Sequence, residues 1–88
     1  MMLGVDERRH KPVFGGFREM AERRRALAVE LASTRVALGL SQTEVAARMG
    51  TSQSAVARLE AGDVDIRLST LERYAAAVGR ELRWHLEA

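Results

Sequence analysis

Two very short helical segments lie within residues 41–62, and their brevity constrains the fold more than any other feature of the sequence. The first begins with a capping box, in which the Ser41 hydroxyl accepts from the third helical N–H and the Glu44 carboxylate accepts from the N–H of the cap. Gly50 ends this segment after about two turns, because glycine tolerates the left-handed backbone that closes a helix. Ser52 then offers a second cap. The pattern predicts two short helices joined by a tight turn.

Longer helical patterns flank this pair. Apolar residues recur at spacings of three, four and seven from Phe17 to Leu38, and Gly39 ends that pattern. After a polar loop, a further apolar stripe runs from Leu68 to Gly79. The two ends of the chain differ from the middle. Residues 1–16 carry glycines, the only proline and no periodicity, which predicts a flexible leader.

The last residues alternate between apolar and polar side chains. Leu82, Trp84 and Leu86 alternate with charged or polar neighbours, a period of two that is typical of a strand. The sequence therefore predicts a short β-strand over residues 80–88 in an otherwise all-α chain.

Composition narrows the class of protein. The chain has 88 residues, enough for one domain with one core. It has no cysteine, which excludes disulfides and thiolate metal sites, and we predict neither a cofactor nor a metal. No apolar run approaches the ~20 residues of a membrane span and no signal-peptide core is present, so a soluble, cytoplasmic protein is expected.

The net charge of +2 permits a nucleic-acid partner without requiring one. The arginines at 8–9 and 23–25 fit either such a partner or a solvated helix face.

The run from Leu40 to Gly62 resembles the Xre, or Cro/cI-like, helix-turn-helix family. The segment LSQTEVAARMGTSQS contains the first short helix, the glycine turn and the second cap, and AVARLEAG completes the second helix. The later segments LSTL and AAAVG fit the family as well. The resemblance spans about residues 32–79 and implies a lambda-repressor-like DNA-binding domain of four to five helices, the first of them long. The expected divisions are a leader (1–16), the DNA-binding domain (17–79, motif 41–62) and a C-terminal dimerisation strand (80–88).

The resemblance also implies roles for individual residues. Gln53, Ser54 and Arg58 match positions that face base edges, where glutamine pairs with adenine and arginine with guanine. Arg35 and Glu60 match an ion pair that joins two helices of the scaffold. The residues that match phosphate-contacting or positioning roles are Gln42, Thr51 and Ser52, and we assign a phosphate contact to Arg67 as well. The alternative for the residues assigned to DNA is that they are ordinary exposed helix residues, whereas Arg35 and Glu60 are expected to be structural.

The chain departs from the family pattern in the loop before its last helix. Ile66 and Arg67 stand where the family often has a proline and a capping serine or asparagine. Asp63 and Asp65 occupy a loop in which basic residues often meet phosphate. These carboxylates weaken the expectation of phosphate contacts there, and Arg67 and the N-terminal arginines would have to compensate.

One copy of such a motif contacts few bases, so a homodimer on a palindromic operator is expected. Pairing of the C-terminal strands of two chains would supply an interface through Leu82, Trp84 and Leu86. The alternative is that this segment folds back onto its own helices.

The sequence therefore predicts a sequence-specific DNA-binding transcriptional regulator that acts as a repressor. Its length, N-terminal extension and terminal strand also resemble HigA-type antitoxins, which implies an alternative: neutralisation of a RelE/HigB-like toxin together with repression of its own operon. A second alternative is a protein-interaction module that does not bind DNA. An enzyme is not expected, because His10 and His85 lie at opposite ends and no nucleophile, metal-ligand or phosphate-loop motif occurs.

Overall fold

The computed structural model describes the backbone of residues 2–63 and 65–83 and, within these ranges, the side chains from residue 18 onward. The helices in these ranges are α1 (Met2–Ala37), α2 (Gln42–Met49), α3 (Gln53–Ala61) and α4 (Leu68–Ala77). The all-α prediction is confirmed, and α2 and α3 are the two short helices that the caps predict, with eight and nine residues. None of these helices carries an apolar stretch of the length and hydropathy that a bilayer crossing needs.

The first helix is much longer than its periodic part. It spans 36 residues and begins at Met2, so its backbone includes most of the segment predicted as a leader. The flexibility of that segment stays a prediction. The helix ends at Ala37, one residue before the end of the apolar pattern, and Gly39 follows with a positive φ.

The core lies between the C-terminal half of α1 and the three shorter helices. Helices α1 and α2 each pack against both α3 and α4. Among the side chains that the structure describes, the largest fully buried ones are Tyr74, Leu71, Val45 and Val56. Complete burial of one aliphatic side chain contributes about 1.5–3 kcal/mol, and Val56 supplies such a contact from α3.

Two arginine side chains tie helices to distant backbone carbonyls. Arg24 of α1 donates to the carbonyl of Ile66 (3.1 Å), in the loop that precedes α4. Arg48, in the last turn of α2, donates to the carbonyl of Ala77 at the end of α4 (2.8 Å). A cation near the C-terminus of a helix also interacts favourably with its dipole. The first bond holds the loop against α1, and the second holds the end of α4 against α2.

The predicted C-terminal strand is wrong. Residues 80–83 form neither helix nor strand, and no strand occurs anywhere in the described part of the chain. Leu82 is half-buried and packs against the core of its own chain. A strand needs a ladder partner for its backbone, whereas a single leucine needs only an apolar surface, and the core supplies one. Trp84 and Leu86 lie outside the described residues.

Candidate nucleic-acid interface

Capping hydrogen bonds fix both ends of α2, and the second of these ends leads into the turn before α3. At the start of α2, the N–H of Glu44 donates to Ser41 Oγ (3.0 Å) and the N–H of Ser41 donates to Glu44 Oε1 (2.8 Å). The hydrogen bond from the Ser41 backbone lowers the pKa of Glu44, so the capping carboxylate stays charged. At the end of α2, Gly50 adopts φ 73° and ψ 37°, and the N–H of Thr51 reaches back to the carbonyl of Ala46 (2.9 Å). The left-handed glycine therefore sets the direction in which α3 begins.

The N-terminal end of α3 presents short polar side chains to solvent. Ser52 is the N-cap, and its hydroxyl accepts from the N–H of Ala55 (3.1 Å). The hydroxyls of Ser52 and Ser54 are hydrogen-bonded to each other at 3.2 Å. The three residues predicted to read bases, Gln53, Ser54 and Arg58, are all exposed. The opposite face of the helix is anchored by the buried side chains of Val56 and Leu59.

A group of four polar side chains lies behind this surface, with Glu60 at its centre. Arg35 donates from Nε to Glu60 Oε2 (2.8 Å) and from Nη2 to Glu60 Oε1 (3.0 Å), which makes a two-bond ion pair between α1 and α3. Gln42 donates from Nε2 to Glu60 Oε1 (2.8 Å), and the Tyr74 hydroxyl donates to Glu60 Oε2. The ion pair is shielded from solvent, since the side chains of Arg35 and Glu60 are only 13% and 10% exposed. One carboxylate thus joins all four helices.

The Glu60 carboxylate is held in its charged form. Its burial would raise the pKa, and this is the largest single effect, but the hydrogen bonds from Arg35, Tyr74 and Gln42 together keep the pKa of Glu60 below its usual range. Burial and the neighbouring carboxylate raise the pKa of Tyr74, so its hydroxyl stays protonated and acts as the donor. The hydrogen bond to Glu60 likewise raises the pKa of Arg35.

Gln53 extends this group to the surface of α3. Its Nε2 donates to Oε1 of Gln42 (2.6 Å), the same Gln42 whose Nε2 donates to Glu60. Two residues from different predicted classes, a base reader and a positioning residue, are therefore in direct contact. Gln42 is half-buried and Gln53 is exposed, so the hydrogen bonds lead from the protein interior to solvent.

A cationic cleft of about 320 Å³ lies between α3 and α4. Its lining includes Arg58 and Arg67, both predicted site residues, together with Arg73 and the carboxylate of Asp65. Arg67 is the N-cap of α4, but no side chain accepts from the first turn of this helix. Thr51 also lines the cleft. The cleft has three arginines against one aspartate, a balance that suits an anionic ligand such as a phosphate.

Comparison with known proteins places this geometry in a family. A family model described as Helix-turn-helix (HTH_3) matches residues 31–85, which is more than half of the chain. The chain belongs to this helix-turn-helix family. The match includes α2, α3 and α4, and it begins in the half of α1 that carries the core. No solved structure matches the chain significantly.

The helix-turn-helix chain is similar to proteins of Mycobacterium tuberculosis named as antitoxins. It is 46% identical to Antitoxin HigA1 of strain CDC 1551 / Oshkosh over 76 residues, which cover 86% of this chain and 51% of that protein; the same values hold for Antitoxin HigA1 of strain ATCC 25618 / H37Rv. A relative named HigA3 from the H37Rv strain is 51% identical over 59 residues, or 65% of this chain and 54% of that protein. The chain thus spans about half the length of the curated relatives it matches.

Tyr74 is the member of the Glu60 group that sequence reasoning missed. It lies on the buried stripe of α4 between Leu71 and Ala75, where an apolar contribution is the simplest expectation. A buried tyrosine hydroxyl, however, usually finds a hydrogen-bond partner. A tyrosine at an inward position of a helix-turn-helix domain was therefore the available signal that a polar group lies behind α3. Arg73, which lines the cleft, was also not singled out.

Proposed function

We propose that this chain is a DNA-binding antitoxin that represses its own operon through α3 and neutralises a RelE/HigB-like toxin. The DNA-binding part is supported above all by the exposure of Gln53, Ser54 and Arg58 on the face of α3 opposite its buried anchors. Membership of a helix-turn-helix family agrees with this role and gives no support to an enzymatic one. The antitoxin part is supported by the similarity to HigA1, which favours this alternative over a free-standing repressor.

In the proposed complex, the N-terminal end of α3 enters the major groove. Gln53 can pair with adenine through both ends of its amide, and Arg58 can donate two parallel hydrogen bonds to guanine. Each such pair contributes about 1–3 kcal/mol of discrimination against the wrong base. Ser54 is short enough to let the helix approach, and its hydroxyl can contact either kind of base.

Phosphate contacts are proposed on both sides of α3. Gln42 and Ser52 lie at the N-terminal ends of α2 and α3, where backbone N–H groups favour an anion. Thr51 and Arg67 line the cationic cleft on the other side, where a second phosphate would be held. Such contacts fix the position of the protein on the duplex but carry no base preference of their own.

Two copies are proposed to act together, because one α3 reaches too few base pairs for useful specificity. A palindromic operator would then bind a homodimer with one α3 in each half-site. Sedimentation of the chain with and without operator DNA tests this: a single copy on each operator would contradict it.

The DNA-binding proposal is tested by gel shift with the DNA upstream of the gene, at several salt concentrations. Arg58→Ala and Gln53→Ala are expected to weaken binding by about 1–3 kcal/mol and to relax preference at one base pair each. Arg83→Ala is the matched control, since Arg83 is an exposed arginine outside the four helices. Unchanged binding by both α3 variants would show that they do not read bases.

The antitoxin proposal is tested by expressing the product of the neighbouring gene with and without this chain. If that gene encodes a small RelE/HigB-like protein, its expression should arrest growth, and co-expression of this chain should restore growth and allow the two proteins to be purified together. Continued growth arrest with both proteins present would contradict toxin neutralisation and leave the DNA-binding result unaffected.

A further inference from the structure

The exposed reader Gln53 is joined to the shielded carboxylate of Glu60 through Gln42. We propose that Glu60 is a positioning residue that sets the donor and acceptor polarity of Gln53, and thereby the base preference at the position that Gln53 contacts. The inference depends on the DNA-binding role proposed above, and it assigns to Glu60 a part in specificity beyond its ion pair with Arg35.

The first step follows from the chemistry of a carboxylate. A charged carboxylate can only accept hydrogen bonds, whereas an amide side chain has a donor end and an acceptor end of nearly the same shape. Because Glu60 stays charged, the end of the Gln42 amide that faces it has to be the NH2 group. The observed bond from Gln42 Nε2 to Glu60 Oε1 has this polarity.

The second step carries the polarity outward. With its nitrogen committed to Glu60, Gln42 turns its Oε1 toward Gln53, and Gln53 has to donate in return. The Gln53 amide therefore cannot rotate by 180° without placing two acceptors against each other. Its Oε1 and its second N–H stay available on the exposed side of α3.

This fixed arrangement matches one base better than the others. Adenine offers an acceptor at N7 and a donor at N6, so it can use both free groups of Gln53. Guanine offers acceptors at both N7 and O6, and one of them would meet the Gln53 oxygen. An amide that could flip freely would discriminate less sharply between these edges.

Two further side chains stop the carboxylate itself from turning. Arg35 donates to both oxygens of Glu60, and Tyr74 donates to the oxygen that Gln42 does not use. With the side chain of Glu60 only 10% exposed, water has little access to replace these donors. The Glu60 carboxylate therefore has a fixed orientation, and the hydrogen bonds through Gln42 to Gln53 depend on it.

The arrangement can be tested first without DNA, from the side-chain amide signals of the two glutamines in NMR spectra. Glu60→Gln replaces one acceptor by a donor, and Gln42→Leu removes the connecting amide. Both variants should shift the Gln53 NH2 signals. Arg48→Met is the control, because it removes a hydrogen bond of α2 to Ala77 that does not involve Glu60. Gln53 signals that stay unchanged in Glu60→Gln would overturn the inference.

The consequence for specificity is tested with the upstream DNA and each of its single-base variants. Gln53→Ala first identifies the position that Gln53 reads, where the unaltered chain should prefer adenine by about tenfold. Gln42→Leu and Glu60→Gln should reduce that preference to about twofold at this position and leave the preferences at other positions intact. The control Arg48→Met should leave the preference intact at every position. An adenine preference that stays unchanged at this position, whether or not the overall affinity falls, would overturn the inference, and so would an equal loss of preference at every position.

The two levels of the proposal fail in different ways. If the unaltered chain shows no sequence-specific binding, the proposed function fails and the base preference fails with it, while the amide signals still show whether Glu60 orients Gln53. If the unaltered chain binds specifically but the Gln42 and Glu60 variants have the same base preferences as the Arg48 control, the proposed function stands and the role of Glu60 in specificity is wrong.

Discussion

The Tyr74 hydroxyl donates to the Glu60 carboxylate, so the largest fully buried side chain among the described residues is also a hydrogen-bond donor to a charged group. Hydrogen bonds to charged groups contribute about 1.5–3 kcal/mol, more than bonds between neutral groups. Tyr74→Phe keeps the ring and removes only the donor. We expect it to lower the free energy of unfolding by about 1.5–3 kcal/mol in urea titrations, with the helical content unchanged. A variant as stable as the unaltered chain would show that the hydroxyl is not needed to hold Glu60.

Two Arg–Glu ion pairs of this chain differ in their exposure to solvent, and they can be compared directly. Arg35 and Glu60 retain 13% and 10% of their side-chain exposure, whereas Arg83 and Glu81 retain 85% and 72%. Arg35→Met leaves a shielded carboxylate without its cation and should cost about 3–5 kcal/mol. Arg83→Met should change the free energy of unfolding by less than about 1 kcal/mol, since water already screens that pair. Equal effects in denaturant titrations would contradict the importance assigned to shielding.

Acid should weaken the fold through Glu60. The folded pKa of this carboxyl lies below its ordinary value of 4.5, so its charged form stabilises the fold above that pH. The stabilisation is lost as the pH falls through the folded pKa. Unfolding of the unaltered chain and of Glu60→Gln, followed from pH 7 down to about pH 3, should therefore give a difference in free energy that narrows with acidification. A difference that stays constant over this range would mean that Glu60 titrates as it does in the unfolded chain.

Gly50 is expected to be sensitive to substitution for conformational reasons alone. It has φ 73°, and a Cβ added there would meet nothing within 4 Å, so the cost of a side chain is backbone strain and not a clash. Gly50→Ala should destabilise the chain by about 1–2 kcal/mol, and Gly50→Asn by less, because asparagine tolerates the left-handed region. Thermal unfolding of the two variants measures this. The opposite order would indicate a hidden steric contact.

The parts of the fold that depend on neighbouring residues could be predicted from the sequence. Ser41, Glu44 and Gly50 act on groups three to five residues away, so their pattern is sufficient to place the ends of α2. The alternation around Leu82 is equally local, but a strand depends on a partner that no local pattern specifies. In the structure Leu82 contacts the core of its own chain.

The same distinction applies to the candidate site. The exposure of Gln53 and Arg58 follows from the helical wheel of α3, because Val56 and Leu59 identify the inward face. The hydrogen bond from Gln42 to Glu60 joins residues 18 positions apart and on different helices. It depends on how α2 and α3 pack, and no spacing rule within one helix contains that information.

The uncapped start of α4 has a consequence for how this sequence can change. A serine at position 67 could accept from an N–H group of the first turn and would stabilise the helix by about 0.5–2 kcal/mol. The same replacement would remove one of the three arginines that line the cleft. Selection for heat resistance and selection for attraction to an anion therefore favour different residues here. A thermostability screen should recover Arg67→Ser early, and the survivors should bind DNA with a weaker dependence on salt.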